Sequence, residues 1–286
     1  MKQMNRLGAL SFRLTEERAV RLRQYYSLIT AVSFLDTYEI VEQVSDSLWS
    51  PTGLMAPIFD FVNQVWGREM LFQLQPYSVA LVVLALLVAA VGYRPRLAFA
   101  VAAVFSLFCF SLTVAARGVR HPEAPMIVSL FLASLAPWSS PKDRFVDLWT
   151  IHLQRALFVF VFAASGLQKI WLSGAGWLEG DALKHHLLWA QLAYAHMEPS
   201  ALQLGLNQTL ASLPDLVIKV LGIGVVGAEL LLPFFLYVKR VRAAALLLLL
   251  LMVVLFRFAL FVPFNGIYVL FVFWLGAFDR DEAVGK

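Results

Sequence analysis

Residues 76–116 read PYSVALVVLALLVAAVGYRPRLAFAVAAVFSLFCFSLTVAA, and this stretch decides the fold class. It holds two apolar runs, 76–93 and 96–116, with Arg94 and Arg96 in the short turn between them. A bilayer core about 30 Å thick needs roughly 20 apolar residues in a helix, and each run meets that length. Working outward on the same ruler, further spans are predicted over 25–44, 124–138, 148–171, 214–238, 242–261 and 264–278. The expected fold is all-α: a polytopic membrane bundle of about eight transmembrane helices plus short interfacial helices, forming one domain over 1–286. Composition agrees, because 60% of the 286 residues are hydrophobic, only 15% are charged and the mean hydropathy is +0.73. Soluble domains carry about 25% charged residues. An aromatic content of 14% argues against a disordered or fibrous chain. The single cysteine, Cys109, lies inside an apolar run and makes no intrachain disulfide, so any electron or proton chemistry falls to other groups.

The basic residues form short clusters beside the apolar runs, a pattern that reads as membrane orientation and not as a nucleic-acid surface. Lys2, Arg6, Arg13, Arg18, Arg21 and Arg23 precede the first span. Arg94 with Arg96, Lys142 with Arg144, and Lys239, Arg240 and Arg242 then fall on alternate connections. That alternation puts both termini in the cytoplasm, with 1–24 as a cytoplasmic lead-in and 170–213 outside. The N-terminus lacks the features of a cleaved signal peptide. Residues 50–72 are expected to hold an interfacial helix after a turn at Pro51 and Gly53, and 176–213 to form short helices at or in the membrane.

Charges inside spans are costly and usually face a bundle interior or a wet cavity. Lys169, in SGLQKIWLSGAGWLEGDAL at 165–183, is either a snorkelling lysine or a desolvated base able to accept a proton near neutral pH. Phe158, Phe160, Phe162 and Trp171 are candidates for an apolar wall around an amphiphilic substrate, or for ordinary helix packing. Asp36 and Glu39, three apart on the first span, are placed to orient Lys169 or to line a wet vestibule. Counting 1.5 Å per residue brings Glu229 and Arg257 to comparable depth, and they are expected to form a buried charge pair. His185, His186 and His196 share the outer segment without a metal-ligand spacing, so no metal is expected. GIGVVG at 222–227 lies in an apolar run and reads as close helix packing, not a phosphate loop.

Gly166, Lys169, Trp177 and Gly180, in the pattern G-L-x-K followed by W-L-x-G, resemble the horizontally transferred transmembrane (HTTM) family, which includes the membrane part of vitamin K-dependent γ-glutamyl carboxylase. SPTGL at 50–54 and Glu229 are similar to that family's layout as well, so the likeness covers most of the chain. The resemblance implies a menaquinone- or vitamin K-like quinone or hydroquinone as cofactor, with Lys169 as the base that deprotonates it and Gly166, Trp171, Trp177 and Gly180 around the site. It also implies a catalytic histidine, for which His121 in GVRHPEAP is the candidate. The chain departs from the family where Arg257 stands in place of a frequent histidine, and it has no room for the carboxylase's large extramembrane portion.

Two functions are therefore expected from different classes. The first is a quinone-linked membrane enzyme, in a bacterial cytoplasmic membrane, that modifies or oxidises a secreted peptide at an outward-facing site, with a partner subunit docking the substrate. The second is a non-enzymatic lipid or small-molecule transporter, or a membrane scaffold. Membrane lipids are partners under both.

Overall fold

The computed structural model describes residues 13–38, 51, 54–117, 124–138, 145–147, 149–193, 200–261 and 265–275. Among them the chain is helical apart from two short strands, β1 (Arg13–Thr15) and β2 (Phe145–Asp147). The helices are α1 (Glu16–Thr37), α2 (Ala56–Trp66), α3 (Glu69–Val91), α4 (Pro95–Arg117), α5 (Ala124–Leu135) and α6 (Thr150–Ser173). They continue with α7 (Gly176–Glu179), α8 (Asp181–Ala193), α9 (Ala201–Ala211), α10 (Asp215–Phe235), α11 (Arg242–Leu260) and α12 (Asn265–Phe271), the last followed by a 3₁₀ turn over Val272–Trp274. The chain divides into two compact units, Met1–Arg155 with Asn265–Lys286, and Ala156–Phe264.

Five helices among the described residues are long and apolar enough to cross a membrane: Glu69–Val91, Pro95–Ala116, Thr150–Ser173, Asp215–Phe235 and Arg242–Leu260. The chain is thus a helical membrane protein by length and composition, with five such helices where eight spans were expected. The other three spans differ for separate reasons. Of the 25–44 run, the residues to Thr37 lie in α1, which starts at Glu16 and carries Glu17, Arg18, Arg21 and Arg23 in its first turns, so the described helix is too polar for a span, and 39–44 lie outside the described residues. The 124–138 run is α5, whose 12 residues extend about 18 Å. Within the 264–278 run the described residues form seven α-helical residues and a 3₁₀ turn, and 264 and 276–278 lie outside the described residues. The interfacial helix expected within 50–72 is α2, and 176–213 holds the short helices α7, α8 and α9.

In the first unit the core gathers around Tyr26 of α1, which is fully buried. Its ring meets Phe99 at 5.5 Å and Phe273 at 5.1 Å, and its hydroxyl shares a 2.7 Å hydrogen bond with Ser129 of α5. A buried phenol needs such a partner, and the bond ties α1 to α5 inside an apolar cluster. Arg155 donates from Nε to the Phe273 carbonyl at 2.9 Å, and its guanidinium lies 4.8 Å from the Trp274 ring centroid. The antiparallel pair β1–β2, unforeseen from sequence, joins Arg13 to Asp147 and Thr15 to Phe145.

The second unit is organised on α10. Three glycines set its packing, because each lets backbone approach where a side chain would collide. A Cβ on Gly166 of α6 would fall 2.9 Å from Leu230 Cγ and 3.2 Å from Glu229 Cβ. One on Gly180 would fall 2.8 Å from the Lys219 amide nitrogen, and one on Gly222 would run into the Trp177 carbonyl oxygen. The packing reading of GIGVVG holds at Gly222, whereas Gly224 and Gly227 face open space.

Candidate functional site

Residues 166–184 run antiparallel to α10 in a continuous register. Gly166 lies against Glu229 and Leu230, Lys169 meets Glu229, Trp177 meets Gly222, Gly180 meets Ile218 and Lys219, and Lys184 pairs with Asp215 at 2.7 Å. All four residues of the G-L-x-K…W-L-x-G pattern therefore contact one helix. The break between α6 and α8 falls inside this register. Gly180, with φ of 88°, closes the single turn of α7. At 1.5 Å per residue, Gly222 lies about 10 Å and Glu229 about 21 Å from the start of α10. Non-helical backbone at such depth in an apolar bundle requires protein or a polar cavity against it, and Trp177, only 3% exposed, stands on α10 there.

The centre of the site is an ion pair. Lys169 Nζ donates to Glu229 Oε1 at 2.7 Å and Oε2 at 2.6 Å, and to Ser165 Oγ at 2.8 Å. Ser165 Oγ donates to Glu229 Oε1 at 3.2 Å. Ser165 sits one helical turn before Lys169, so both present the same face of α6 to α10. The Lys169 side chain is 17% exposed and that of Glu229 4%. Lys169 Nζ also lies 5.2 Å from the centroid of the Trp177 ring, close enough for a cation–π contact. His186 of α8 stacks on the same indole, with centroids 5.3 Å apart and an interplanar angle of 29°, and His185 meets His186 edge-on at 6.2 Å. Burial against this surface, then His185, then the Lys169 charge hold the His186 imidazole below the ordinary histidine value of 6.5.

Glu229 takes Lys169 as a salt-bridge partner, a pairing that the depth count over Glu229 and Arg257 did not anticipate. Depth counting equated the two positions without knowing which helix faces α10 at Glu229. Gly166 brings α6 there, and Arg257 sits instead in the last turn of α11, where the negative end of the helix dipole favours a cation. The carboxylate beside Lys169 is thus Glu229. Asp36 is exposed near the end of α1 in the first unit, and Glu39 and His121 lie outside the described residues, as does His196. The aromatic wall divides by helical face. Phe158 and Phe162 are buried and pack at 4.8 Å, whereas Phe160 and Trp171 are 68% and 88% exposed, with Trp171 about 200° around α6 from Lys169. Trp171 is therefore not a lining residue of the pair, and Trp177 is. Among the described residues no three His, Cys, Asp or Glu side chains gather as a metal site.

Sequence reading missed Ser165 and the Trp177–His186 stack. The i, i+4 spacing of Ser165 and Lys169 was the available signal for the first; the second depends on a helix break whose geometry no periodicity encodes.

Compared with known proteins, the chain matches no family model, no curated protein and no solved structure.

Proposed function

We propose that the protein is an integral-membrane enzyme in which Lys169 and Glu229 form an acid–base couple acting on an amphiphile with a weakly acidic O–H, of which a membrane hydroquinone is the representative class. The observation that carries this reading is the amine of Lys169 held on both oxygens of a buried carboxylate, beside a tryptophan face, in an apolar helix pair. The couple is neutral overall both as ammonium with carboxylate and as amine with carboxylic acid. Transfer of one proton from Lys169 to Glu229 leaves a free amine, which takes the phenolic proton of the substrate. The products are an ammonium, a carboxylic acid and a phenolate, with charge conserved. Ser165, bonded to both partners, holds the amine in place during the exchange. The likeness to HTTM proteins points to the same lysine and to a quinone-type substrate, and a secreted peptide docked by a partner subunit is the acceptor in this reading.

The alternation of basic clusters supports cytoplasmic termini and an outside location for 170–213. The β1–β2 ladder supports it further, because it joins the lead-in to the strand that follows Lys142 and Arg144. The test is oxygen-dependent consumption of a naphthohydroquinone by the purified protein in lipid nanodiscs. Lys169→Arg keeps the charge but not a releasable proton, and activity should fall roughly 10²- to 10⁴-fold. Full activity in that variant would remove Lys169 from the chemistry.

A second reading is favoured by the helix break beside the buried pair, a combination that transporters use to bind substrates at membrane depth. Substrate flux into proteoliposomes without chemical change, insensitive to Lys169→Arg, is the result that reading requires.

A further inference from the structure

The first unit holds a second feature that the Lys169 site leaves unexplained. Arg23 of α1 is only 6% exposed, its Nε is buried, and among the described residues neither a hydrogen bond nor an ion pair reaches the guanidinium. A buried charge without a partner is costly, and native structures rarely keep one without a counter-ion or ligand. The guanidinium stands against the turn between α3 and α4: a Cβ on Gly92 would lie 2.5 Å from Arg23 Nη2 and 2.9 Å from Cζ. Gly92, with φ of 97°, is the residue that leaves room for it.

An apolar groove begins at that turn. One part, of about 260 Å³, is lined by Leu84, Val88, Tyr93, Arg94 and Leu97 among others, and a second, of about 270 Å³, by Leu74, Tyr77, Val104 and Phe108 among others. Leu81 and the α3–α4 seam are common to both parts. Along α3 the lining runs from Leu71 to Val88, about 26 Å. That exceeds the roughly 15 Å of one leaflet's hydrocarbon. The polar end of the groove is basic, since exposed Arg94 lines it beside Tyr93, and the Arg23 guanidinium lies one residue before Tyr93.

We propose that this turn and groove form a binding site for an anionic phospholipid, whose phosphate is held by Arg23 and Arg94 and whose acyl chain lies along α3 and α4. The charge at one end and the apolar length beyond it match a phosphate ester joined to a hydrocarbon chain, and the buried Arg23 gains a counter-charge that none of the described residues supplies. Gly92 is required because any side chain there would displace the guanidinium. The site belongs to the first unit and the Lys169–Glu229 pair to the second, and the proposal does not rest on the reading given to that pair.

The test uses the full chain, purified and delipidated in neutral detergent, titrated with dioleoylphosphatidylglycerol, dioleoylphosphatidylcholine or inorganic phosphate, with retained lipid counted by native mass spectrometry and thermal unfolding followed in parallel. Phosphatidylglycerol should be retained in preference to phosphatidylcholine and should raise the unfolding temperature. Arg94→Gln, at an exposed position, should fold normally and weaken the preference about fivefold, the factor expected of one arginine at an anionic headgroup. Arg23→Gln should unfold at a higher temperature than the parent without lipid, because an unpartnered buried charge is gone, and should lose the phosphatidylglycerol-dependent rise. Equal retention of the two lipids, equal protection by inorganic phosphate, or a two-copy particle that forms without lipid and covers the groove would each overturn the proposal.

Discussion

Each member of the Lys169–Glu229 pair makes the burial of the other tolerable. Lys169→Ala leaves a carboxylate that is 4% exposed without its cation and should destabilise by about 3–5 kcal/mol, whereas Lys169→Met with Glu229→Leu should recover much of that loss. Thermal unfolding of the two variants in one detergent checks this, and a double variant no better than the single would contradict the pairing. The lysine was legible in the sequence as an interrupted apolar run, and the glutamate as a buried acid. Their partnership was not, because residue counting gives depth along a helix and not the direction a side chain faces. His186 gives a separate prediction. Its folded value lies below 6.5, so the folded state binds the proton less readily than the unfolded chain, and stability should fall as pH drops below 6.5 through the folded value. Unfolding temperatures compared at pH 7.5 and pH 5 should show a smaller acid loss in His186→Gln than in the parent.

At the scale of elements, the site depends on how short helices are fixed to long ones. Gly180 combines a left-handed φ with backbone contact on Lys219, so Gly180→Ala carries both strain and collision. It should reduce activity by loosening Trp177 from α10 even where the protein still folds, and unchanged activity with normal expression would show that the register is dispensable. Asn207 of α9 is fully buried. It donates to the carbonyls of Leu187 at 2.9 Å and Ala259 at 2.6 Å, while accepting from Gln191 Nε2 at 2.5 Å. It thereby ties α8 and α11 to α9, and Asn207→Ala should cost about 1–3 kcal/mol, measurable by thermal unfolding, because it strands buried polar groups. Apolar run length made α3, α4, α6, α10 and α11 legible. Among the described residues no long apolar helix matches the spans expected at α1, α5 and α12, where polar faces or shortness weaken that signal, and β1–β2 was hidden because three-residue strands have too few positions to show alternation.

At the scale of the whole molecule, composition alone excluded a soluble domain, and the five long apolar helices bear out a helical membrane protein. Orientation can be tested at Gly205, where a Cβ meets open space: Gly205→Cys in a Cys109→Ser background should react with a membrane-impermeant thiol reagent in intact cells, and protection there would reverse the assigned sidedness. Proton transfer from a bound hydroquinone to the Lys169–Glu229 couple can be followed in isolation when oxygen is excluded. Naphthohydroquinone should be titrated anaerobically with the protein in nanodiscs and the absorbance of its phenolate monoanion recorded. About one phenolate per protein is expected at neutral pH, lost in Lys169→Arg while the fold is kept. A bound hydroquinone that stays fully protonated on the unaltered protein, or a phenolate that persists in Lys169→Arg, would contradict it.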